Sequence, residues 1–264
     1  LLGQRVVGIP VFAHGGYAEY ALIDAATALH IPATMKAADA AALHYPFHLA
    51  WFGLHERARI QPGETLLVHA AAGGTGSGAV QIGKALGAKV IATAGSDEKL
   101  DVCRELGADV VINYRTENFV DVVNDATYGH GVDVAWDTIG GETTVETFKC
   151  MGMNGRHLIL GFSADIQLED ASYITPRAMA YGNFSLCGVC LVYVTDPLGT
   201  RRTLGFNWPS RAEGQAAHAK ILELIRTGVI TPFVGREITF AEIPEALEAM
   251  ERRETVGRIV VHVS

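Results

Sequence analysis

Residues 64–79 read ETLLVHAAAGGTGSGA, and this stretch decides the fold. Leu66, Leu67 and Val68 form a short apolar run typical of a buried parallel strand, and glycines then interrupt it before a run of good helix formers. A strand, a glycine-rich turn and a helix in this order open a dinucleotide-binding βαβ unit.

The glycines between the strand and the helix predict where the phosphates of a dinucleotide bind. We expect Gly74 to permit the tight turn, Gly76 to let the backbone approach a pyrophosphate, and Ala79 to let the helix pack close to the strand. Unpaired N–H groups at the start of the helix would face the phosphates. The predicted phosphate-binding residues are Gly73, Gly74, Thr75 and Gly76.

The chain around this stretch alternates short apolar strands with helices, which predicts an α/β fold with a doubly wound parallel sheet. The predicted strands are 64–70, 89–93, 110–113, 132–136, 157–160 and 184–194. Strand-like segments also lie near both ends of the chain. We therefore expect an NADP-binding domain, residues 47–194, inserted into a second domain formed by residues 1–46 and 195–264. Within these domains, residues 36–58 read as two helices broken at Pro46, and residues 195–210 read as a loop.

The end of the second predicted strand indicates which cofactor binds. An NAD site places Asp or Glu about twenty residues beyond the glycines, to bond the ribose 2′-hydroxyl. Here residues 93–96 contain no acid, Ser96 offers a hydroxyl, and Lys99 offers a cation one helical turn later. This chemistry favours an added 2′-phosphate, so the sequence predicts NADPH. Asp97 and Glu98 are close by, but acids there favour the start of the next helix.

The bulk composition argues against several classes of protein. The net charge is −8 and no basic stripe is present, which argues against a nucleic-acid partner. No apolar run reaches the length of a membrane span, so we expect no membrane association. The four cysteines form no disulfide framework, which is typical of a reducing, cytoplasmic setting.

Two motifs resemble functional sites without meeting their requirements. Residues 78–85 nearly match a phosphate-binding P-loop, but they lack the final Ser or Thr and lie inside the predicted helix. Cys187 and Cys190 form a CxxC pair, but three residues of spacing on a strand point their side chains to opposite faces. We expect both to be buried structural cysteines and no metal site.

The histidines favour structural roles over catalysis. His69 lies within the first strand of the βαβ unit, where a hydrogen-bonded core residue is expected. His44 and His48 have helical spacing, but Pro46 lies between them, so we expect them to be structural or to line a cleft.

Four stretches carry a resemblance to a known family: GGYAEY (15–20), QPGETLLVHAAAGGTGSGAVQIGKALGAKVIATAGSDEKL (61–100), RELGADVVINYRTENF (104–119) and WDTIGG (136–141). The chain resembles the zinc-independent medium-chain dehydrogenase/reductases, in particular the NADPH:quinone oxidoreductase (zeta-crystallin-like) group. The resemblance implies a Rossmann domain inserted into a GroES-like β-rich domain, with the site in the cleft between them. It also implies that part of the GroES-like domain precedes Leu1.

The resemblance also implies roles for particular residues. Lys99 and Tyr114 would bind the 2′-phosphate, the segment Gly161, Phe162 and Ser163 would lie beside the nicotinamide, and Arg253 would reach a cofactor phosphate. A homodimer would form through the last strand of the sheet, residues 184–194.

This chain departs from the family pattern at two places. Leu49 replaces a Thr that usually contacts the nicotinamide amide, and the 195–210 segment is longer than usual. No Cys lies near Tyr45 and Pro46, where zinc-dependent relatives carry one, so zinc is not expected.

The resemblance thus implies an NADPH-dependent reductase that transfers a hydride to a quinone or an α,β-unsaturated carbonyl compound. The cofactor carries the hydride, and no catalytic side chain is assigned. Two alternatives remain: a zinc-dependent alcohol dehydrogenase and a non-catalytic NADPH-binding protein.

Overall fold

The computed structural model describes residues 2–10, 15–164 and 176–263. The chain divides into two compact units. Residues Leu49–Val189 form one, which we call the contiguous unit. Residues Leu1–His48 and Cys190–Ser264 form the other, the two-segment unit. The boundaries of the two functional domains, placed by the sequence analysis at 46/47 and 194/195, stay a prediction.

The first segment of the two-segment unit contains short elements. Strands β1 (Val6–Val7) and β2 (Leu29–His30) pair antiparallel, and helix α1 (Ala37–Ala50) follows them. A π-helix, Trp51–Arg57, continues from α1.

The contiguous unit is built on one parallel sheet covered by helices. Its strands are β3 (Thr65–Val68), β4 (Lys89–Ala94), β5 (Val110–Asn113), β6 (Val132–Asp137), β7 (Met151–Ile159) and β8 (Ser185–Gly188). Its helices are α2 (Gly74–Ala85), α3 (Asp97–Glu105), α4 (Phe119–Ala126), α5 (Gly141–Thr147) and α6 (Pro176–Gly182). The strand order is β5-β4-β3-β6-β7-β8, and every neighbouring pair is parallel. This is the doubly wound Rossmann order, which confirms the predicted fold class.

The second segment of the two-segment unit combines helices with two short strands. It contains α7 (Pro197–Leu204), α8 (Arg211–Arg226), β9 (Val234–Thr239), α9 (Ile243–Glu251) and β10 (Arg258–His262). Strands β9 and β10 pair parallel in a two-stranded sheet. No helix among the described residues is long and apolar enough to cross a membrane.

The core of the Rossmann sheet follows from its sequence. Leu66, Leu67 and Val68 in β3 are fully buried, because helices cover both faces of a parallel sheet. On one face, Leu67 packs with Ile91 and Ile112 of the neighbouring strands. Burial of several such aliphatic side chains, each worth roughly 1.5–3 kcal/mol, stabilises the central strands that present the site.

Three element predictions were wrong. Helix α1 runs through Pro46 without a break, because proline removes only one N–H donor and the surrounding turns continue. Residues 197–204 form α7 instead of a loop, because Asp196 caps its first turn, Pro197 stands at its start, and Gly205 ends it in the left-handed conformation. The last strand covers only Ser185–Gly188 of the predicted 184–194.

The CxxC prediction also fails in part. Cys187 lies in the short strand β8 and is half-buried, whereas Cys190 lies beyond the strand and is exposed. Both are free thiols. The predicted burial therefore fails because it depended on the longer strand.

Candidate functional site

The turn between β3 and α2 presents backbone N–H groups at the carboxyl edge of the sheet. Helix α2 begins at Gly74, and the preceding residue, Gly73, supplies no side-chain cap. The N–H of Ser77 bonds the Gly73 carbonyl 2.9 Å away, as the first bond of the helix. The three preceding amides, which include that of Thr75, precede the intrahelical ladder and can receive an anion.

The structure shows conformational and packing requirements at this turn that the sequence analysis did not predict. The left-handed residue is Ala70, with φ 50°, whereas Gly74 is already helical. A Cβ on Gly76 would stand 2.8 Å from Ala71 Cα and closer still to the Ala70 carbonyl oxygen. Gly76 therefore leaves room for the backbone of its own loop, and the predicted approach of a pyrophosphate to this glycine stays a prediction.

The close approach of α2 to the sheet also depends on Gly83, a small residue that the sequence analysis did not name. A Cβ on Gly83 would lie 2.5 Å from Leu66 Cδ2 and 3.3 Å from Val90 Cγ2. Ala79 is fully buried, but Gly83 is the position where strands β3 and β4 leave no space for a methyl group.

The predicted 2′-phosphate residues gather around Gly95, just beyond β4. Ser96 begins α3, and its hydroxyl makes no capping bond to that helix. Tyr114 follows β5, the neighbour of β4, and a Cβ on Gly95 would lie 2.6 Å from its hydroxyl. Lys99 stands in the first turn of α3 and is half-buried. The structure thus brings three of the predicted residues to one edge of the sheet.

Arg115 is a residue of this edge that the sequence reasoning missed. Its Nε lies 3.2 Å from the position that a Cβ on Gly95 would take. Its side chain is exposed, and no ion pair holds it among the described residues. The signal was present as an Arg after Tyr114 in NYRTENF, and the pairing of β4 with β5 gives it meaning. An Arg near this position accommodates a 2′-phosphate in NADP sites.

The predicted nicotinamide segment lies against the turn that follows β6. The N–H of Ser163 bonds the Thr138 carbonyl at 3.3 Å, and the hydroxyl of Ser163 bonds the same carbonyl at 3.0 Å. A Cβ on Gly161 would stand 3.1 Å from that oxygen, so the two segments are in close contact. Phe162 is about half exposed.

A buried polar network supports these turns from within the sheet. The rings of His69 and His157 and the carboxylate of Asp137 are fully or almost fully buried. His69 bonds the hydroxyls of Thr93 and Thr147 at 3.1 and 2.9 Å. Burial lowers the pKa of His69 to about 4, so the ring is neutral, and its predicted role as a hydrogen-bonded core residue is confirmed.

Arg253 is the one predicted site residue that lies outside the contiguous unit. It follows α9 in the two-segment unit, with φ 58° and an exposed side chain. Its role at a cofactor phosphate stays a prediction.

A histidine cluster lies within the two-segment unit. His218 Nε2 donates to the His30 carbonyl at 2.7 Å, so its other ring nitrogen, Nδ1, accepts from His48 Nε2 at 3.1 Å. The remaining ring nitrogen of His48, Nδ1, then accepts from the Tyr193 hydroxyl at 2.9 Å. His44 packs edge-on against His48, and its buried Nδ1 finds no hydrogen-bond partner among the residues that the structure describes. Burial, followed by the nearby His218 and Arg258, lowers the pKa of His44 to about 4. This neutral cluster is suited to packing α1 rather than to catalysis.

The two-segment unit also carries an open cavity of about 460 Å³. Asp24 and Asp196 line it together with Tyr193 and several threonines. Two carboxylates would repel phosphates, so this cavity does not suit a dinucleotide. Among the residues that the structure describes, no three His, Cys, Asp or Glu side chains are grouped as a metal site requires.

The sequence of this chain matches a family of known proteins and several of its relatives. Residues 74–200 match the family described as zinc-binding dehydrogenase. The chain is 31% identical over 260 residues to quinone oxidoreductase-like protein 2 of Bos taurus, covering 98% of this chain and 69% of that protein.

Two solved structures share the fold. A mycobacterial protein complexed with NADPH matches with a TM-score of 0.80 and 26% identity, over 94% of this chain and 71% of that one. An NAD-dependent alcohol dehydrogenase matches with a TM-score of 0.77 and 27% identity, over 95% of this chain and 66% of that one. This chain therefore spans about two thirds of the length of these proteins. The identity, the coverage and the doubly wound sheet together lead to one conclusion: the chain belongs to the medium-chain dehydrogenase/reductase family of oxidoreductases, in its quinone oxidoreductase-like group.

Proposed function

We propose that this protein is an NADPH-dependent oxidoreductase that transfers a hydride to a quinone or an α,β-unsaturated carbonyl compound without zinc. The observation that carries the cofactor preference is the edge around Gly95, where Ser96, Tyr114 and Arg115 meet and no carboxylate takes the NAD-specific position. A guanidinium and two hydroxyls suit a phosphate monoester, whereas an Asp or Glu there would repel it.

The residues present fit the proposed cofactor along the carboxyl edge of the sheet. The uncapped first turn of α2 would receive the pyrophosphate, and the edge around Gly95 would receive the 2′-phosphate. The segment 161–163 would lie beside the nicotinamide, as the family resemblance implies. NADPH supplies the hydride, so this chain's own residues bind and orient. Quinones and conjugated carbonyl compounds share an electron-poor acceptor carbon, which is the reason for proposing both as substrates.

The cofactor preference is tested by removing each cation at this edge. We expect Arg115→Ala and Lys99→Ala each to raise the Kd for NADPH by roughly tenfold or more, because a charge-assisted bond contributes about 1.5–3 kcal/mol. The Kd for NADH, which lacks the phosphate, should change by less than about twofold. Fluorescence titration of the full-length protein measures both constants.

Arg104→Ala is the matched control for these variants, because Arg104 lies on the same helix α3 and pairs with Asp101 at 2.6 Å. It should leave both constants unchanged. Equal losses of NADPH and NADH affinity in Arg115→Ala would contradict the phosphate-binding role of this residue.

The second candidate is a zinc-dependent alcohol dehydrogenase, which the likeness to an NAD-dependent alcohol dehydrogenase favours. Metal analysis of the full-length protein separates the two, since stoichiometric zinc would overturn our proposal. An NADPH-oxidation panel of quinones and enones tests activity: tight NADPH binding without oxidation on any acceptor would point to a non-catalytic binding protein.

We also propose a cytoplasmic homodimer, paired through the edge of the sheet. Within the described part of the chain, strand β8 pairs on one side only, and an unpaired edge is a site for association. Sedimentation equilibrium tests the dimer, and a monomer at all concentrations would contradict it.

A further inference from the structure

The side chain of Asp137, the last residue of β6, accepts more hydrogen bonds than pairing of the strand requires. Its carboxylate accepts from the backbone N–H groups of Ile139 and Gly140 at 2.8 and 3.0 Å. It also accepts from the Thr144 hydroxyl and from His157 Nε2, the latter at 3.0 Å. The side chain is buried, with 0% exposure of the residue, so all four bonds form away from water.

These bonds fix two turns at once. The pair of N–H bonds sets the turn after β6, in which Gly140 has φ 76°. The carbonyls of that turn then hold the next segment: Thr138 accepts from Ser163, and Ile139 accepts from the N–H of Ala164 at 2.8 Å. The position of residues 161–164 therefore depends on a turn that Asp137 holds.

The charge on Asp137 is maintained despite its burial. Burial alone would raise the pKa of this carboxyl, but hydrogen bonds from His157 and Thr144 and the nearby rings of His69 and His157 bring the pKa far below its ordinary value. The group therefore stays a carboxylate that only accepts hydrogen bonds. It cannot serve as a proton donor near neutral pH, so its role is to hold its neighbours in place.

A purely structural role does not account for this arrangement. Burying a carboxylate is costly unless every lone pair is used, and apolar packing serves stability as well or better. The carboxylate of Asp133, at the opposite end of the same strand, accepts a single hydrogen bond among the described residues, from the N–H of Thr65 at 2.8 Å. The fully bonded carboxylate stands at the carboxyl edge, where ligands bind in open α/β sheets.

We propose that Asp137 is a positioning residue that holds the turn 138–141 and the segment 161–163 in place for the nicotinamide half of the cofactor. It determines how tightly that half is bound and leaves the adenosine half, at the edges of β4 and β5, unaffected. This inference rests on the proposed function, since it requires a dinucleotide in the site.

The test compares two ligands on the full-length protein: NADPH, and adenosine 2′,5′-bisphosphate, which lacks the nicotinamide half. We expect Asp137→Asn to raise the Kd for NADPH roughly tenfold or more and to leave the Kd for the bisphosphate within about twofold. Thr144→Val, which removes a single donor and keeps the side-chain shape, should give a smaller change in the same direction. Amide hydrogen exchange of the apo protein should accelerate in residues 138–141 and 161–164 of both variants.

Asp133→Asn is the matched control, on the same strand and with the same change of charge, and should alter neither Kd. Equal weakening of both ligands by Asp137→Asn would indicate general loss of structure and overturn the inference. An unchanged Kd for NADPH in Asp137→Asn, measured beside a wild-type protein that binds NADPH, would also overturn the inference. Wild-type protein that binds neither ligand overturns the proposed function and this inference with it.

Discussion

Gly76 is the residue whose conservative replacement we expect to damage the site most. The sequence pattern predicted a glycine here for contact with a cofactor, but the structure places the Ala70 carbonyl and the Ala71 Cα against the missing Cβ. Sequence alone could not distinguish these reasons, because both require a glycine at the same position. We expect Gly76→Ala to lower the free energy of unfolding by more than about 2 kcal/mol, since neither backbone group can move freely.

The control for this substitution is Gly188→Ala, because an added Cβ there meets no atom of the described residues within 4 Å. Urea unfolding of both variants measures the difference. If Gly76→Ala unfolds at the same urea concentration as the wild type, the close contact that we describe in this loop is wrong.

Arg115 illustrates what a linear motif does not contain. Lys99 and Ser96 could be found by counting residues beyond the glycines, and the resemblance added Tyr114. Arg115 comes to Gly95 only because β4 and β5 are adjacent and in register, with Ala94 opposite Asn113. That pairing is a property of the folded sheet, so the proposed role of Arg115 at the 2′-phosphate could be recognised only from the structure.

His44 gives a prediction for stability against pH. Its pKa is lowered from 6.5 to about 4 by burial, so the unfolded chain binds more protons than the folded one between these values. The contribution of neutral His44 to the free energy of unfolding is fully present above about pH 6.5 and is lost as the pH falls toward 4. The loss is on the order of 3 kcal/mol at most, from about 1.36 kcal/mol per pKa unit.

We therefore expect His44→Leu to unfold at similar urea concentrations at pH 7 and to lose less stability than the wild type between pH 6.5 and 4. The substitution removes a buried ring nitrogen that has no hydrogen-bond partner, so it should cost little at neutral pH. Parallel pH profiles of His44→Leu and wild type would contradict the burial of a neutral His44.

At the scale of elements, strong periodic segments were predicted well and their ends poorly. Strands β3, β4, β5 and β6 lie within a few residues of their predicted positions, because long apolar runs flanked by glycine leave one interpretation. Helix α7 was missed because its capping residues, Asp196 and Gly205, also signal turns. The break at Pro46 was wrong because α1 gains more from continuing to bury Leu43 and Phe47 than one lost hydrogen bond costs.

The packing of α2 on β3 can be tested by a double-mutant cycle. A methyl group on Gly83 would collide with Leu66 Cδ2 at 2.5 Å, so Gly83→Ala should destabilise the protein although alanine favours helix by about 1 kcal/mol. Leu66→Val shortens the opposing side chain and should cost about 1 kcal/mol alone.

The double variant Gly83→Ala/Leu66→Val should be more stable than the sum of the two single changes predicts, by roughly 0.5 kcal/mol or more. Free energies of unfolding from urea titrations give all four corners of the cycle. Additive effects would show that the two side chains do not share this space.

At the scale of the whole molecule, the doubly wound sheet was predictable, whereas the strand pairing within the two-segment unit was not. Alternating strands and helices determine the order of the large sheet through right-handed crossovers. The strands of the two-segment unit have two to six residues, and such short elements carry too little periodicity to fix their partners. The histidine cluster shows the same limit: His30, His48 and His218 are far apart in sequence, and only the fold brings them together.

The contiguous unit gives the last prediction, because it holds its own core and nearly all of the predicted cofactor residues. We expect the isolated fragment Leu49–Val189 to fold and to bind adenosine 2′,5′-bisphosphate within about threefold of the full-length affinity, since the buried sheet and the edge around Gly95 lie wholly within it. Circular dichroism reports the fold, and calorimetry reports the Kd.

Arg253 lies outside the fragment, so Arg253→Ala in the full chain isolates its contribution. If both the fragment and Arg253→Ala bind the bisphosphate weakly, Arg253 belongs to the phosphate site. If the fragment alone binds weakly although it is folded, the adenosine half depends on other residues of the two-segment unit, and the site that we describe is incomplete.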